Sequence, residues 1–405
     1  MTKRMLVVGG GIGGLSAALA SAQAGWQVDL LEQSEAFAEF GAGIQISPNV
    51  VHILRGWGLE SALDAVAARP QQLNVRNAMQ GSVLAVMPLA GAMEQRYGAP
   101  YLTIARADLH NVLLGALRQR SDVGLHLGAR VVQTSQDIAG VRVQTVADRA
   151  FEAPVLVAAD GVWSKLRAQV VHDAAPRVSG HLAYRAMFSQ SDLPQNLRSD
   201  SVTVWMGNDF HVVDYPVHGG EWRNVVAIVK GSVAGDPKSW DHSANAVDLR
   251  RRLAWAAPAL KELICAIPSW RLWPLSDRSP MQSAAQHARG RIALLGDAAH
   301  PMRPYLAQGA GMAIEDAAVL AASLQGGADT VAADLQRYAA QRWQRNARVQ
   351  ARAIRNGEIF HLRGLPQIAR DVTLRLLGSR VLDVSWLYAG RVELVAAQNH
   401  STATQ

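Results

Sequence analysis

The rhythm of apolar and polar positions changes along this chain, and each change marks a different kind of element. Met5–Val8, Val155–Ala159 and Arg291–Leu295 are short, mostly continuous apolar runs, the mark of strands buried on both faces of a parallel sheet. An Ala-rich stretch, Leu15–Ala24, reads as a helix, and Gln27–Leu31 reads as a second strand. A helix is expected over Arg106–Arg120, with hairpin strands over Val123–Val146 and short strands and turns over residues 71–97. Between residues 176 and 275, Ser201–Met206, His211–Val217 and Asn224–Val229 alternate and are rich in Val, Trp and Tyr, which predicts an antiparallel sheet. From Gly309 to about Leu387 the pattern is helical.

These elements predict an α/β chain with a discontinuous Rossmann-like domain. Residues 1–70, 98–175 and 276–350 build it, residues 71–97 and 176–275 form an inserted sheet domain, and 351–390 form a C-terminal helical region. Residues 391–405 read as a flexible tail, polar and frayed from Gln398 onward.

The first strand runs into Gly9-Gly10-Gly11-Ile12-Gly13-Gly14, and a helix follows. Glycines at 9, 11 and 14 allow a tight turn, close approach of a pyrophosphate, and close helix-on-strand packing, while the helix N-terminus offers free N–H groups to the anion. The second strand ends in Glu32, close to the spacing of about 20 residues expected of an acid that accepts from an adenosine ribose. Such an acid suits a free 2′-hydroxyl, as in FAD or NAD.

Composition narrows the setting. With 405 residues the chain exceeds one small core, and a lone Cys265 excludes an intramolecular disulfide framework and any multi-cysteine metal site. Met1–Ala24 has the outline of a secretory leader, but its glycines and the strand ending at Glu32 argue for a folded segment and a cytoplasmic protein. No other uncharged stretch has the length of a membrane span. The net charge of +7 raises nucleic acid as a partner, yet no interleaved aromatics or binding motif accompany it. The densest arginine group, Arg337, Arg342, Arg345, Arg348, Arg352 and Arg355, reads as a solvated helix face. A positive field also draws in small anions such as aromatic carboxylates and a nicotinamide dinucleotide.

Four motifs occur in one order: Gly9–Gly14 with Glu32; Arg106-Ala107-Asp108-Leu109; Asp160-Gly161 through Arg167; and Gly296-Asp297 through Gln308-Gly309-Ala310-Gly311 to Ala317. The arrangement resembles the single-component FAD-dependent aromatic hydroxylases, the group containing 4-hydroxybenzoate, salicylate and 3-hydroxybenzoate hydroxylases, over Met5 to about Tyr388. The resemblance implies the fold of 4-hydroxybenzoate hydroxylase, with FAD held by Gly9, Gly11, Gly13, Gly14, Glu32, Gln33, Gln45, Arg106, Asp160, Asp297, Gly309 and Ala310. By themselves Asp297 reads as well as a helix cap, Asp160-Gly161 as a turn, and Arg106 as a surface arginine at a helix start. No second dinucleotide fold and no CxxC are present, which argues against enzymes of the glutathione reductase type and fits transient use of NAD(P)H.

In the inserted sheet, His211-Val212-Val213-Asp214-Tyr215-Pro216 resembles a strand of the 3-hydroxybenzoate 6-hydroxylases whose His and Tyr line the substrate pocket. Period-two alternation puts His211 and Tyr215 on one face, and Tyr101 matches a pocket tyrosine of that branch. Unaided, a lone His on a strand reads as structural. The resemblance implies His211 and Tyr215 as catalytic, Tyr101, His211 and Tyr215 as substrate-binding, and no metal.

The expected reaction uses NADH or NADPH and O2 to hydroxylate a small aromatic carboxylate, with no nucleic-acid or membrane partner, in a monomer or homodimer. The first expectation is 3-hydroxybenzoate to gentisate and the second is salicylate to catechol. A flavin-binding redox sensor without turnover is the reading from another class. Pro304 stands where the 3-hydroxybenzoate branch has Gln, leaving the isomer and regiochemistry open, and Gly43–Ser47 lacks a His that 6-hydroxynicotinate enzymes carry.

Overall fold

The computed structural model describes residues 3–37, 43–232, 236, 242–243 and 246–392, so most of the expected 391–405 tail lies outside the described residues. Its centre is a six-stranded sheet in the order Ala288–Arg289, Ile292–Leu294, Val155–Ala158, Arg4–Val8, Gln27–Leu31, Val123–His126. All pairings are parallel except the first. Met5, Leu6 and Val7 of the first strand, and the whole of Val155–Ala158, are buried, as continuous apolar runs require.

One expectation over residues 123–146 is corrected. Val123–His126 does not enter a hairpin but pairs in parallel with Gln27–Leu31 at the sheet edge. The antiparallel strands there are Val131–Gln136, Val141–Thr145 and Ala150–Ala153. A half-buried edge strand alternates like a hairpin strand, so its partner is set by tertiary pairing.

The first helix, Ile12–Gln23, and Gly309–Ser323 pack together through small residues such as Ala17, Ala18, Ala313 and Ala317, and share one core with Leu15, Leu30, Ile104, Leu113 and Leu295. Each fully buried Leu or Ile there contributes about 1.5–3 kcal/mol.

The second large sheet has eight strands and is mixed rather than wholly antiparallel. Val202–Met206 runs parallel to Gln72–Asn77, which brings the 71–97 segment into the sheet. Two rows define its faces. Leu182, Tyr184, Val212, Val225 and Ala227 point to Ala246–Arg252 and Pro258–Ala266, whose Leu249, Leu260 and Leu263, with Leu253 from the segment between them, cover them. Ala183, Arg185 and Met187, then Asn224, Val226 and Ile228, then His211, Val213 and Tyr215 share the other face by register, and that face meets the nucleotide-binding half.

The arginine group on Val331–Phe360 is not simply a solvated stripe. Arg342 is buried, bonded to Glu315 at 2.9 Å and to Asp316 at 2.8 Å, and Arg345 reaches Glu315 at 2.7 Å. The carboxylates sit inside Gly309–Ser323, so these arginines tie the long helix to it. Burial pushes the Asp316 carboxyl up, but His300 and Arg342 outweigh it and hold it well below the carboxylate range. Among the described residues no helix is long and apolar enough to cross a membrane.

Candidate active site

The glycine turn is built as the sequence requires. Gly9 lies at φ +113°, where a Cβ would enter the Ala159 carbonyl, and a Cβ on Gly14 would overlap the Gly9 carbonyl oxygen. On Gly13 it would come within 3.0 Å of the Leu295 side chain. Gly11 is the N-cap of the first helix and leaves its N–H groups without a side-chain cap, the condition for holding a phosphate. Glu32 accepts from Gly10 N–H at 2.6 Å and from Ser34 N–H at 2.8 Å, with Gln33 exposed beside it. His110, unread from the sequence, donates to the Gly10 carbonyl at 2.8 Å and secures the turn from outside.

Asp160 is committed locally. Its carboxylate accepts from Ser164 Oγ at 2.5 Å and from the Lys165 and Leu166 N–H groups, so the turn presents its backbone. A Cβ on Gly161 would meet nothing within 4 Å, nor would one on Gly309. Gly309 and Ala310 open Gly309–Ser323, whose N-terminus has no side-chain cap. Asp297 is exposed on the turn Gly296–Ala298. The fit to FAD is therefore local and specific: a close-packed glycine turn, two uncapped helix N-termini, and glycines opening onto free space.

Gln45 bonds two tyrosines. On Gly43–Ile46, paired with Leu102–Ala105, its amide accepts from Tyr101 Oη–H at 2.6 Å and hydrogen-bonds Tyr215. Burial pushes both phenols up, so they stay protonated. Met312 from the Gly309 helix and Tyr388 pack on the same pair.

His211 lies on the same face but in another group. Tyr215 stands four positions further along the strand, about 13 Å away at ~3.3 Å per residue. Its Nδ1 meets Nε2 of His361 at 2.8 Å, with the rings of Tyr305 and Phe360 at 5.0 and 5.2 Å. Burial, then His361 and His181, lower its proton affinity, so the imidazole is neutral.

Between the two groups lies Arg185, another residue the sequence reading missed. It is half-buried over the Trp273 ring at 5.1 Å, and its buried Nε has no partner. Burial lowers its proton affinity, Tyr215 raises it and Arg106 lowers it, which sets all three close together. Alternation along a long strand does not say which face meets the cofactor half, and His361 is remote in sequence, so neither carried a local signal.

His287, His300 and Asp316 bring donor atoms within 4.8 Å of one another, but Arg342 already gives Asp316 the positive charge a metal would supply.

The family described as FAD binding domain matches residues 2–353. The 3-hydroxybenzoate 6-hydroxylase of Polaromonas naphthalenivorans is 34% identical over 391 residues, covering 96% of each chain. A 6-hydroxynicotinate 3-monooxygenase of Bordetella bronchiseptica is 37% identical over 351 residues, 86% of this chain and 89% of the other. Among solved structures, a salicylate hydroxylase substrate complex superposes with a TM-score of 0.80 at 28% identity, covering 96% of each chain.

Proposed function

The chain belongs to the FAD binding domain family and is a flavoprotein aromatic monooxygenase, and from that premise we propose that it hydroxylates a monohydroxybenzoate, first 3-hydroxybenzoate to gentisate, with NADH as reductant. One observation carries the reading: a single sheet face presents a cation at Arg185, a neutral imidazole at His211 and a phenol at Tyr215. An aromatic acid bearing a hydroxyl has complementary groups for all three.

FAD, when bound by the Gly9–Gly14 turn and the Gly309 helix, supplies the electron transfer and oxygen activation. The protein's side chains do the rest. Arg185 offers its unpartnered Nε to the carboxylate, a charge-assisted bond that fixes the ring. Tyr101 and Tyr215, locked through Gln45, close the end of the pocket. His211 takes up the phenolic proton, which raises electron density ortho and para to that oxygen. Met187, Val213, Leu306 and Met312 make the surroundings apolar and keep water from the reacting ring.

The salicylate hydroxylase likeness, together with Pro304 where the 3-hydroxybenzoate branch has Gln, makes salicylate the competing substrate. Chromatography of reactions with 3-hydroxybenzoate and salicylate side by side decides between them. Gentisate is the expected product; catechol alone moves the assignment to salicylate, and NADH oxidation indifferent to both rejects the reading. The Arg185→Met enzyme should need about ten- to a hundredfold more substrate for half-saturation with a smaller change in kcat, as the loss of one charged hydrogen bond predicts. An unchanged KM removes Arg185 from carboxylate binding.

A further inference from the structure

The C-terminal helix Gly364–Leu377 has its polarity inverted. Its inward side is the polar one: Arg370 bonds Asp371 at 2.9 Å and the Ile359 and Phe360 carbonyls at 3.0 and 2.9 Å, and Asp371 accepts from Asn77 at 2.7 Å. Leu374 is the one leucine that it buries. The outward side is apolar. Leu365 is 81% exposed, Ile368 58%, Val372 45% and Leu376 79%, whereas a surface helix ordinarily turns its apolar stripe to the core. Beside it runs the edge strand of the eight-stranded sheet, Val83–Pro88, with Val83 and Val86 also exposed.

The spacing of the outward residues is specific. Leu365, Ala369, Val372 and Leu376 follow one another at intervals of four, three and four, the alternation of a coiled-coil seam, and at ~100° per residue they fall within an arc of about 60°. The series reads the same in both directions. A second copy of the helix laid antiparallel, centred between Arg370 and Asp371, therefore sets Leu365 against Leu376 of that copy and Ala369 against its Val372. Large residues meet at the two ends and small ones at the centre, where the backbones come closest. Arg375 falls opposite Pro366, so no two cations are brought together.

We propose that this face is the interface of a homodimer, formed by two copies of the helix packed antiparallel about a two-fold axis. The outward side chains and the two valines expose on the order of 600 Å² of apolar surface, the upper end of what a monomer leaves uncovered. Paired across a two-fold axis that surface doubles, which clears the roughly 1,000 Å² that a specific interface requires. A membrane surface is the poorer match. Helices that lie on lipid carry a polar face rich in exposed Lys and Arg, and here that face is committed to the fold, with Arg370 buried.

Leu365 and Leu376 are exposed, so changing them leaves the fold of one copy intact, which flavin content and thermal melting check. Holoenzyme is followed by sedimentation velocity over a micromolar concentration series. Wild type should sediment as a dimer, since interfaces of this size bind at micromolar concentration or below. Leu365→Lys with Leu376→Lys sets like charges opposite each other at both ends of the seam. It should raise the dimer Kd about a hundredfold or more, because four leucines leave the interface. Leu365→Lys with Leu376→Glu sets opposite charges in the same places, and its Kd should lie between the other two.

A monomeric wild type overturns the proposal, and so does a wild-type dimer that the Lys–Lys variant leaves intact. Equal weakening by the Lys–Lys and Lys–Glu pairs overturns the antiparallel register. Flotation with phosphatidylethanolamine–phosphatidylglycerol vesicles is the companion measurement. A wild-type monomer that floats, and loses flotation in the Lys–Glu variant, overturns the dimer and assigns the face to lipid.

Discussion

Replacing Gly14 by alanine should strip the protein of FAD. A Cβ there falls 1.8 Å from the Gly9 carbonyl oxygen, far inside contact distance, and that oxygen is a backbone atom that no rotamer change can move. The first helix must withdraw from the strand, carrying its uncapped N–H groups away from the pyrophosphate. Overpacking of this kind costs about 1–3 kcal/mol in stability, and a similar loss in cofactor binding raises the FAD Kd by about ten- to a hundredfold or more. Gly309→Ala is the control, since a Cβ at 309 meets nothing within 4 Å and leaves the apoprotein fold intact. Flavin content after dialysis and thermal melts of apo- and holoprotein measure both. Wild-type flavin retention by G14A would contradict the pyrophosphate role of the turn.

Removing the His211 imidazole is the second large effect. In His211→Asn the substrate still meets Arg185 and the tyrosine pair, but no neutral base remains to take the phenolic proton. Loss of a proton-transfer group costs about 10²–10⁴ in rate. NADH oxidation should continue while product falls, with the missing oxygen recovered as hydrogen peroxide. The wild-type pH profile should show no acid limb near pH 6.5 from this residue, because burial lowers its pKa and the ring is deprotonated throughout that region. Full coupling and an unchanged rate in H211N would show that the ring serves packing against Tyr305 and Phe360 instead.

Local signals made half of this molecule readable. The Gly9–Gly14 turn, Glu32 and the alternation that puts His211 and Tyr215 on one face all depend on residues close in sequence. What stayed hidden depends on partners far away. Arg185 reads like any strand arginine until the sheet face it occupies is known, and the His361 contact spans 150 residues. The arginines of the long helix were misread for a related reason: periodicity places Arg342 and Arg345 on a helix but cannot reveal that Glu315 and Asp316 are buried opposite them. The place of Gln45 between two tyrosines likewise depends on a remote pairing, of Gly43–Ile46 with Leu102–Ala105.

The strand order of the central sheet also governs how the protein can be made. Val155–Ala158 lies between Arg4–Val8 and Ile292–Leu294, so a ribosome must synthesise the whole eight-stranded sheet before the third of these adjoining strands exists. The Gly309 helix emerges later still. Until then the nascent chain carries an apolar sheet edge at Val155–Ala158 with nothing to pair it, the kind of surface that chaperones retain and that aggregates when they do not. Cofactor capture is thus a late event in biogenesis, and pairings this remote make for slow folding. Yield in a foreign host should depend more on chaperone supply than on flavin supply.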